Sequence, residues 1–161
     1  MDNPIRRPEE ILAYRPLERI LAAKPSDVWS LGPKNTVLAA LQLMVDKNIG
    51  FLVILDQGSL VGVLSERDCA RRVVLAGKPV EATPISDIMV REVVTVDLTQ
   101  KFADCLRLMH RHAIRHLPVM GGGKVIAVIS IRDLLSEAVN HHAEVIAELE
   151  RERLTFFTST A

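Results

Sequence analysis

The chain is poor in several features that common protein classes require. Aromatic residues make up only 4% of its 161 residues, so a buried core must be built mainly from aliphatic side chains. The formal net charge is zero, which disfavours a nucleic-acid-binding protein because such proteins usually carry a basic excess. No apolar run approaches the length that spans a membrane, and residues 1–4 have no signal-peptide character. We therefore expect a soluble cytoplasmic protein that binds neither nucleic acid nor membrane.

Metal-binding and catalytic patterns are missing as well. Cys69 and Cys105 have no metal-ligand spacing, which predicts two reduced thiols. His110 and His112 are two positions apart on a predicted helix, and the histidines at 141–142 are adjacent, so neither pair shares a helix face. No Ser/His/Asp or Cys/His arrangement and no P-loop glycine pattern is present. We expect neither a metal site nor an enzyme.

What the chain does contain is an internal repeat. Residues 65–68 read Ser-Glu-Arg-Asp and residues 130–133 read Ser-Ile-Arg-Asp, 65 positions later. The same offset holds upstream without a gap: Leu41, Leu43, Met44, Ile49, Leu52 and Gly58 match Leu106, Leu108, Met109, Ile114, Leu117 and Gly123. A polar signature repeated within a repeated unit predicts a repeated site.

Hydrophobic periodicity divides the chain into an arm at 1–16, a first repeat at 17–80, a second repeat at 81–140 and an extension at 141–161. Each repeat is predicted to run β-α-β-β-α. The predicted strands are 28–31, 51–55, 60–64, 93–96, 116–120 and 125–129, and the predicted helices lie at 17–23, 37–47, 66–76, 85–89, 102–109 and from 131. Neither half has enough layers to bury its strands alone, so we predict an α+β fold whose halves pack together.

The last predicted helix continues an apolar stripe past the repeat. Its members are Leu135, Ala138, Val139, His142, Val145, Ile146 and Leu149. Such a stripe needs a partner, either a second copy of the chain or the N-terminal arm. We favour a homodimer.

These features resemble the CBS (cystathionine β-synthase) domain pair, or Bateman module, in which a strand leads into Gly-h-h-Ser/Thr-x-x-Asp and a helix, h being apolar. The first copy here is Gly-Val-Leu-Ser-Glu-Arg-Asp at 62–68, and the second is Ala-Val-Ile-Ser-Ile-Arg-Asp at 127–133. Residues 114–119 also resemble the family's second strand. The resemblance implies a stand-alone signalling module, a pseudo-two-fold pair of repeats with two clefts for adenosine-containing ligands. These would be AMP above all, or ADP, ATP, NAD(H) or S-adenosylmethionine.

The residues of the signature suit such a ligand. Unpaired N–H groups at a helix start attract a phosphate, and the aspartate can accept hydrogen bonds from both ribose hydroxyls. The same pattern is also a capping box, which needs no ligand. Arg67 and Arg132 favour the binding interpretation, because a cation in the first helical turn costs about 0.3–1 kcal/mol unless an anion is bound nearby.

The resemblance assigns two sets of site residues. The first cleft would use Ser130, Arg132, Asp133 and Val128, closed by Trp29, Ile49 and Gly50. The second would use Ser65, Arg67, Asp68 and Val63, closed by Val94, Ile114, Arg115 and His116. Trp29 is either an adenine wall or a core residue, and Ala127, where the family has glycine, would narrow the first cleft.

Three functions remain open from the sequence. The chain is an adenine-nucleotide sensor that signals by rearrangement, a structural dimerisation module with empty clefts, or, last in rank, a small enzyme. The downstream protein partner cannot be read from the sequence.

Overall fold

The repeat in the sequence is also a repeat of backbone structure. The computed structural model describes residue 14 and residues 16–23 and 27–159, with side chains up to 151 and at 153. The arm predicted at 1–16 therefore falls outside the described residues except at positions 14 and 16. The helices are α1 Leu17–Ala22, α2 Val37–Lys47, α3 Glu66–Cys69, α4 Phe102–His112 and α5 Ile131–Ser159, with a π-helical turn at Ala70–Val74 and a 3-10 turn at Ile85–Asp87. The strands are β1 Ser30–Leu31, β2 Phe51–Asp56, β3 Ser59–Ser65, β4 Val96–Asp97, β5 His116–Gly121 and β6 Lys124–Ser130.

The strands form two three-stranded sheets of identical topology. In the order β1-β2-β3 and β4-β5-β6, the first pair of each sheet is parallel and the second antiparallel. Even the irregularities repeat, because the register shifts between Ile54 and Leu55 in one sheet and between Val119 and Met120 in the other. The predicted α+β class and the tandem repeat are confirmed.

Local sequence explains how helix α2 begins and ends. Thr36 caps α2 by accepting a hydrogen bond from the Ala39 N–H at 3.2 Å. Asn48 ends the same helix in the left-handed conformation at φ 52°, which asparagine tolerates well. Its counterpart Ala113 ends α4 at the same φ of 52°, although a Cβ makes that conformation less favourable.

Some predicted elements are shorter in the structure or change form. The strands predicted at 28–31 and 93–96 pair over only two residues each, at Ser30–Leu31 and Val96–Asp97. The helix predicted at 66–76 changes to a π-helical turn at Ala70, where the Leu75 N–H donates to the Ala70 carbonyl at 2.9 Å.

The core of each repeat contains the segment that begins the other repeat. Leu17, Ile20 and Leu21 of α1, from the start of the first repeat, are buried in the core of the second repeat. Ile85 and the residues at 88–89, from the start of the second repeat, are buried in the core of the first. Each core is thus completed by a segment of the other repeat, which ties the two halves into one unit.

The first half also contacts the second directly, since β3 contacts β6. Among the helices of the described residues, none is long and apolar enough to cross a lipid bilayer.

Replacing Leu17 by alanine should lower the free energy of unfolding by about 2–5 kcal/mol, because the side chain is fully buried in the core of the other repeat. Urea unfolding followed by circular dichroism measures the loss. The exposed neighbour Glu18 is the control, and Glu18→Ala should change stability by less than about 0.5 kcal/mol. Unfolding of Leu17→Ala at the parent's midpoint would show that α1 is not part of this core.

Candidate nucleotide cleft between the repeats

Each Ser-x-x-Asp signature forms a complete capping box. Ser65 Oγ accepts from the Asp68 N–H at 3.2 Å, and Asp68 Oδ2 accepts from the Ser65 N–H at 3.1 Å and from its hydroxyl at 2.5 Å. At the second signature the corresponding distances are 3.2 Å from the Asp133 N–H to Ser130 Oγ, and 2.7 and 2.8 Å from the Ser130 N–H and hydroxyl to Asp133 Oδ2. The capping interpretation is therefore correct for the protein itself. A ligand must bind atoms that the capping box does not use.

The box uses one oxygen of the first aspartate. Asp68 Oδ1 lies 3.9 Å from Arg72 Nε, a long ion-pair distance, and the carboxyl side chain is 21% exposed. A carboxylate has lone pairs on both oxygens, so the second oxygen keeps capacity for a hydroxyl donor.

The helix starts offer fewer backbone donors than the sequence suggested. The Glu66 N–H donates to the Gly50 carbonyl at 3.2 Å, and the Ile131 N–H donates to the Arg115 carbonyl at 2.8 Å. With the N–H groups of the two aspartates used in the boxes, two of the first three donors of each helix already have acceptors. An anion at either position therefore depends mainly on side-chain cations.

A cavity of about 280 Å³ opens beside the first signature, at the junction of the two halves. Every residue predicted for the second cleft lines it: Val63, Ser65, Arg67, Asp68, Val94, Ile114, Arg115 and His116. Other lining residues were not predicted for this cleft: Gly50, Phe51, Glu66, Val90, Glu92, Val93, Ala113 and Pro118. The cavity thus combines the signature of one repeat with the second strand of the other.

The cavity is mixed in charge and apolar on its walls. Three basic side chains, Arg67, Arg115 and His116, line it together with the carboxylates of Glu66, Asp68 and Glu92, and valine and isoleucine side chains add apolar surface. Such a lining does not select a bare anion. It suits a ligand that carries an apolar ring, hydroxyl groups and a negative group together.

An aromatic contact joins the halves at this cavity. Phe51 and His116 occupy equivalent positions of the two repeats, and their rings stack with centroids 4.7 Å apart and planes inclined by 13°. The 65-residue offset relates these two positions, and applying it to His116 would have identified Phe51 from the sequence.

Comparison with known proteins agrees with this architecture. A sequence model described as the CBS domain matches residues 24–75 and 85–140. The chain belongs to the CBS-domain family. It is 32% identical over 120 residues to the mitochondrial CBS domain-containing protein CBSX3 of Arabidopsis thaliana, covering 71% of this chain and 58% of that one. It is 31% identical over 109 residues to the CBS domain-containing protein YhcV of Bacillus subtilis, covering 68% and 77%.

Solved CBS structures share the fold. The CBS domain protein NE2398 is 40% identical with a TM-score of 0.74, covering 78% of this chain and 98% of that one. A putative signal-transduction protein with CBS domains from Burkholderia ambifaria is 38% identical with a TM-score of 0.74, covering 76% and 92%. This chain spans less than two thirds of the Arabidopsis relative but most of the two solved proteins.

The glycine of the CBS signature has a packing role in the first repeat. A Cβ at Gly62 would lie 2.7 Å from Met89 Sδ and 3.1 Å from the Val90 carbonyl oxygen. Val63 and Val90 then exchange two backbone hydrogen bonds of 2.9 Å. Gly62 thereby lets the segment that carries the wall residues at 90–94 pack directly on β3.

The residues predicted to close the other cleft lie in the first repeat. Trp29 and Ile49 pack against the core of the first repeat, and Lys47 Nζ lies 4.2 Å from the centroid of the Trp29 ring. Gly50 lines the cavity at Ser65, where its missing Cβ leaves room for the Glu66 carboxylate.

The second signature occupies the equivalent place in the second repeat. Val128 lies opposite Pro118 in the β5–β6 pair, and Arg132 is exposed at the start of α5. By the 65-residue offset, the wall at 90–94 corresponds to 25–29, of which 25–26 lie outside the described residues.

Nothing in the described part of the chain suggests redox or metal chemistry. No three His, Cys, Asp or Glu side chains among those residues are grouped to hold a metal ion. Cys69 and Cys105 are free and buried, and burial raises the pKa of each thiol to about 11. Both thiols are therefore protonated and weakly nucleophilic at neutral pH.

Gly62→Ala should destabilise the protein by about 1–3 kcal/mol, because the new methyl group would collide with Met89 and with backbone at Val90. Gly32→Ala is the matched control, since a Cβ there would meet only the Asn35 side-chain oxygen within 3.5 Å. Urea unfolding of both variants gives the comparison. Equal, small losses would show that the close approach at Gly62 is not needed.

Proposed function

We propose that this CBS pair is a regulatory module that senses an adenine mononucleotide, AMP in the first place, in the cavity beside Ser65. The observation that carries the proposal is the composition of the cavity wall. It combines the Ser-x-x-Asp signature of the first repeat with Ile114, Arg115 and His116 of the second. A ligand bound there touches both halves at once, which is what a sensor requires.

The groups of a nucleotide match the groups of the cavity. The two ribose hydroxyls donate to Asp68 Oδ1, because Oδ2 is held by the capping box. The phosphate pairs with Arg115 and Arg67, since the backbone donors at the helix start are largely engaged. The adenine ring lies on the valine surface at 90–94.

The size of the cavity favours a mononucleotide. Its volume of about 280 Å³ lies just below the roughly 300–1,000 Å³ found for small-molecule pockets. ADP, ATP, S-adenosylmethionine and a dinucleotide such as NAD(H) are larger ligands and would need the cleft to open. This ranks AMP first among the ligands that the family resemblance suggested.

Signalling would follow from a ligand that binds one arrangement of the two repeats more tightly than another. A ligand shifts a conformational equilibrium only by its difference in affinity for the two states. Because the cavity wall comes from both repeats, a change in their relative position changes the ligand contacts. We propose no catalytic role. An intracellular location fits two buried, unpaired cysteines, which a reducing compartment preserves.

Calorimetric titration of nucleotide-free protein with AMP, ADP, ATP, NADH and S-adenosylmethionine tests the proposal. Asp68→Asn should weaken AMP binding by roughly 10–100-fold, because a hydrogen bond to a charged group contributes about 1.5–3 kcal/mol. Asparagine retains an oxygen for the Ser65 N–H, so the cap is largely kept. Asp133→Asn makes the same change in the other repeat and should leave binding at the Ser65 cavity unaltered.

The phosphate assignment has a separate test. Arg115→Ala should weaken AMP binding about tenfold or more and change adenosine binding little, because adenosine has no phosphate for Arg115 to contact. Equal losses for both ligands would contradict the assignment. Absence of heat with every nucleotide would instead favour a structural dimerisation module with empty clefts.

A further inference from the structure

Two arginines and two glutamates on the wall of the Ser65 cavity are not neutralised by ion pairs within the protein. Among the described residues, no side chain of opposite charge lies within ion-pair distance of Arg67, Arg115, Glu66 or Glu92. Asp68 differs, because its Oδ1 lies 3.9 Å from Arg72 Nε. These four side chains therefore act on a ligand in the cavity with their full charges.

This set of charges matches a single phosphate group. A phosphate monoester carries a charge of about −1.5 to −2 at neutral pH, which two arginines can neutralise. ADP and ATP carry more negative charge than AMP, and the described lining of the cavity contains no lysine and no third arginine to bind it. Their additional phosphates would instead lie near the carboxylates of Glu66 and Glu92.

The carboxylate of Glu66 is accommodated by the glycine at position 50. The Glu66 N–H donates to the Gly50 carbonyl at 3.2 Å, and the side chain lies over the same residue, because a Cβ at Gly50 would be 3.0 Å from Glu66 Oε2. Gly50 is not among the residues with positive φ, so its backbone conformation does not require glycine. What the glycine supplies is space for the carboxylate beside the cavity.

The carboxylate of Glu92 comes from a different element. Its segment is fixed to β3 by the two backbone hydrogen bonds of 2.9 Å between Val63 and Val90. Charges that line a cavity of about 280 Å³ act on a ligand inside it, because they lie within about one Debye length, roughly 8 Å at physiological salt. Both glutamates are exposed, so solvent screens them and limits each to a moderate effect.

We propose that Glu66 and Glu92 are specificity-determining residues that make the Ser65 cavity prefer a nucleoside monophosphate to the corresponding di- and triphosphates. This inference rests on the proposed function and adds to it a selection by charge, which is separate from selection by volume. Arg67 and Arg115 attract the first phosphate, and the two carboxylates repel each phosphate beyond it. The Ser130 signature has Ile131 in the place of Glu66 and so lacks this carboxylate.

Calorimetric titration of the full-length protein with adenosine, AMP and ATP tests the inference. EDTA is present, because a divalent cation would neutralise part of the charge of ATP, and the buffer is at about pH 8, where histidine is ordinarily neutral. The parent should bind AMP more tightly than ATP. Glu66→Gln should tighten ATP binding about 3–10-fold more than AMP binding and leave adenosine binding unchanged. Glu92→Gln should act in the same direction. Glutamine has the size of glutamate, so a changed ratio reports charge and not volume.

Asp56→Asn is the matched control, because it removes the same charge from an exposed position. Asp56 ends β2 five residues after Phe51, about 17 Å along the strand and therefore about two Debye lengths away. The variant should keep the parent's ratio of AMP to ATP affinity. Added sodium chloride should narrow the difference between AMP and ATP in the parent, because salt screens exposed charges.

The outcomes separate this inference from the proposed function. If the parent binds AMP and neither glutamine variant changes the ratio of AMP to ATP affinity, the inference is wrong and the proposed function stands. Equal weakening of adenosine, AMP and ATP in Glu66→Gln would show that Glu66 contacts the nucleoside, and would also overturn the inference. If the parent and both variants bind none of the three ligands, the inference and the proposed function are both wrong.

Discussion

The exchange of apolar segments between the two repeats is the constraint on which the rest of the structure depends. Leu17 completes the core of the second repeat and Ile85 completes the core of the first, and both side chains are fully buried. Burial of one such side chain contributes about 1.5–3 kcal/mol. Because neither core is complete alone, the halves cannot separate without exposing both. The same exchange carries the wall at 90–94 onto β3 and thereby forms the cavity beside Ser65.

The Ser-x-x-Asp signature shows that an aspartate can cap a helix with one oxygen and keep the other for a further contact. A capping box and a ribose acceptor seemed to be competing interpretations in the sequence. In the structure Asp68 Oδ2 makes the cap, and Oδ1 is directed away from it toward Arg72. The two roles are compatible because a carboxylate has two oxygens. The substitution Asp68→Asn, which largely keeps the cap, is therefore more informative than removal of the side chain.

The duplicated halves differ in the side chains around their signatures. By the 65-residue offset, Arg115 corresponds to Gly50 and Ile131 corresponds to Glu66. Both repeats form the same backbone hydrogen bond at the helix start, from Glu66 to Gly50 and from Ile131 to Arg115, so the difference lies in the side chains. A repeated backbone with different side chains therefore gives the two signatures different charged surroundings.

The sequence by itself determined the duplication, the strand and helix order and eight of the residues that line the Ser65 cavity. These depend on local periodicity and on a gapless offset, which a single chain displays directly. Only the tertiary structure decided that α1 belongs to the core of the second repeat, that Trp29 packs under Lys47 and that Gly62 faces Met89. Each of these contacts joins segments that are distant along the chain. A hydrophobic pattern predicts that a residue is buried, but it does not predict which other residues it packs against. For the same reason Glu66 and Glu92 could not be assigned to the cavity in advance, because their positions follow from how the linker packs on β3.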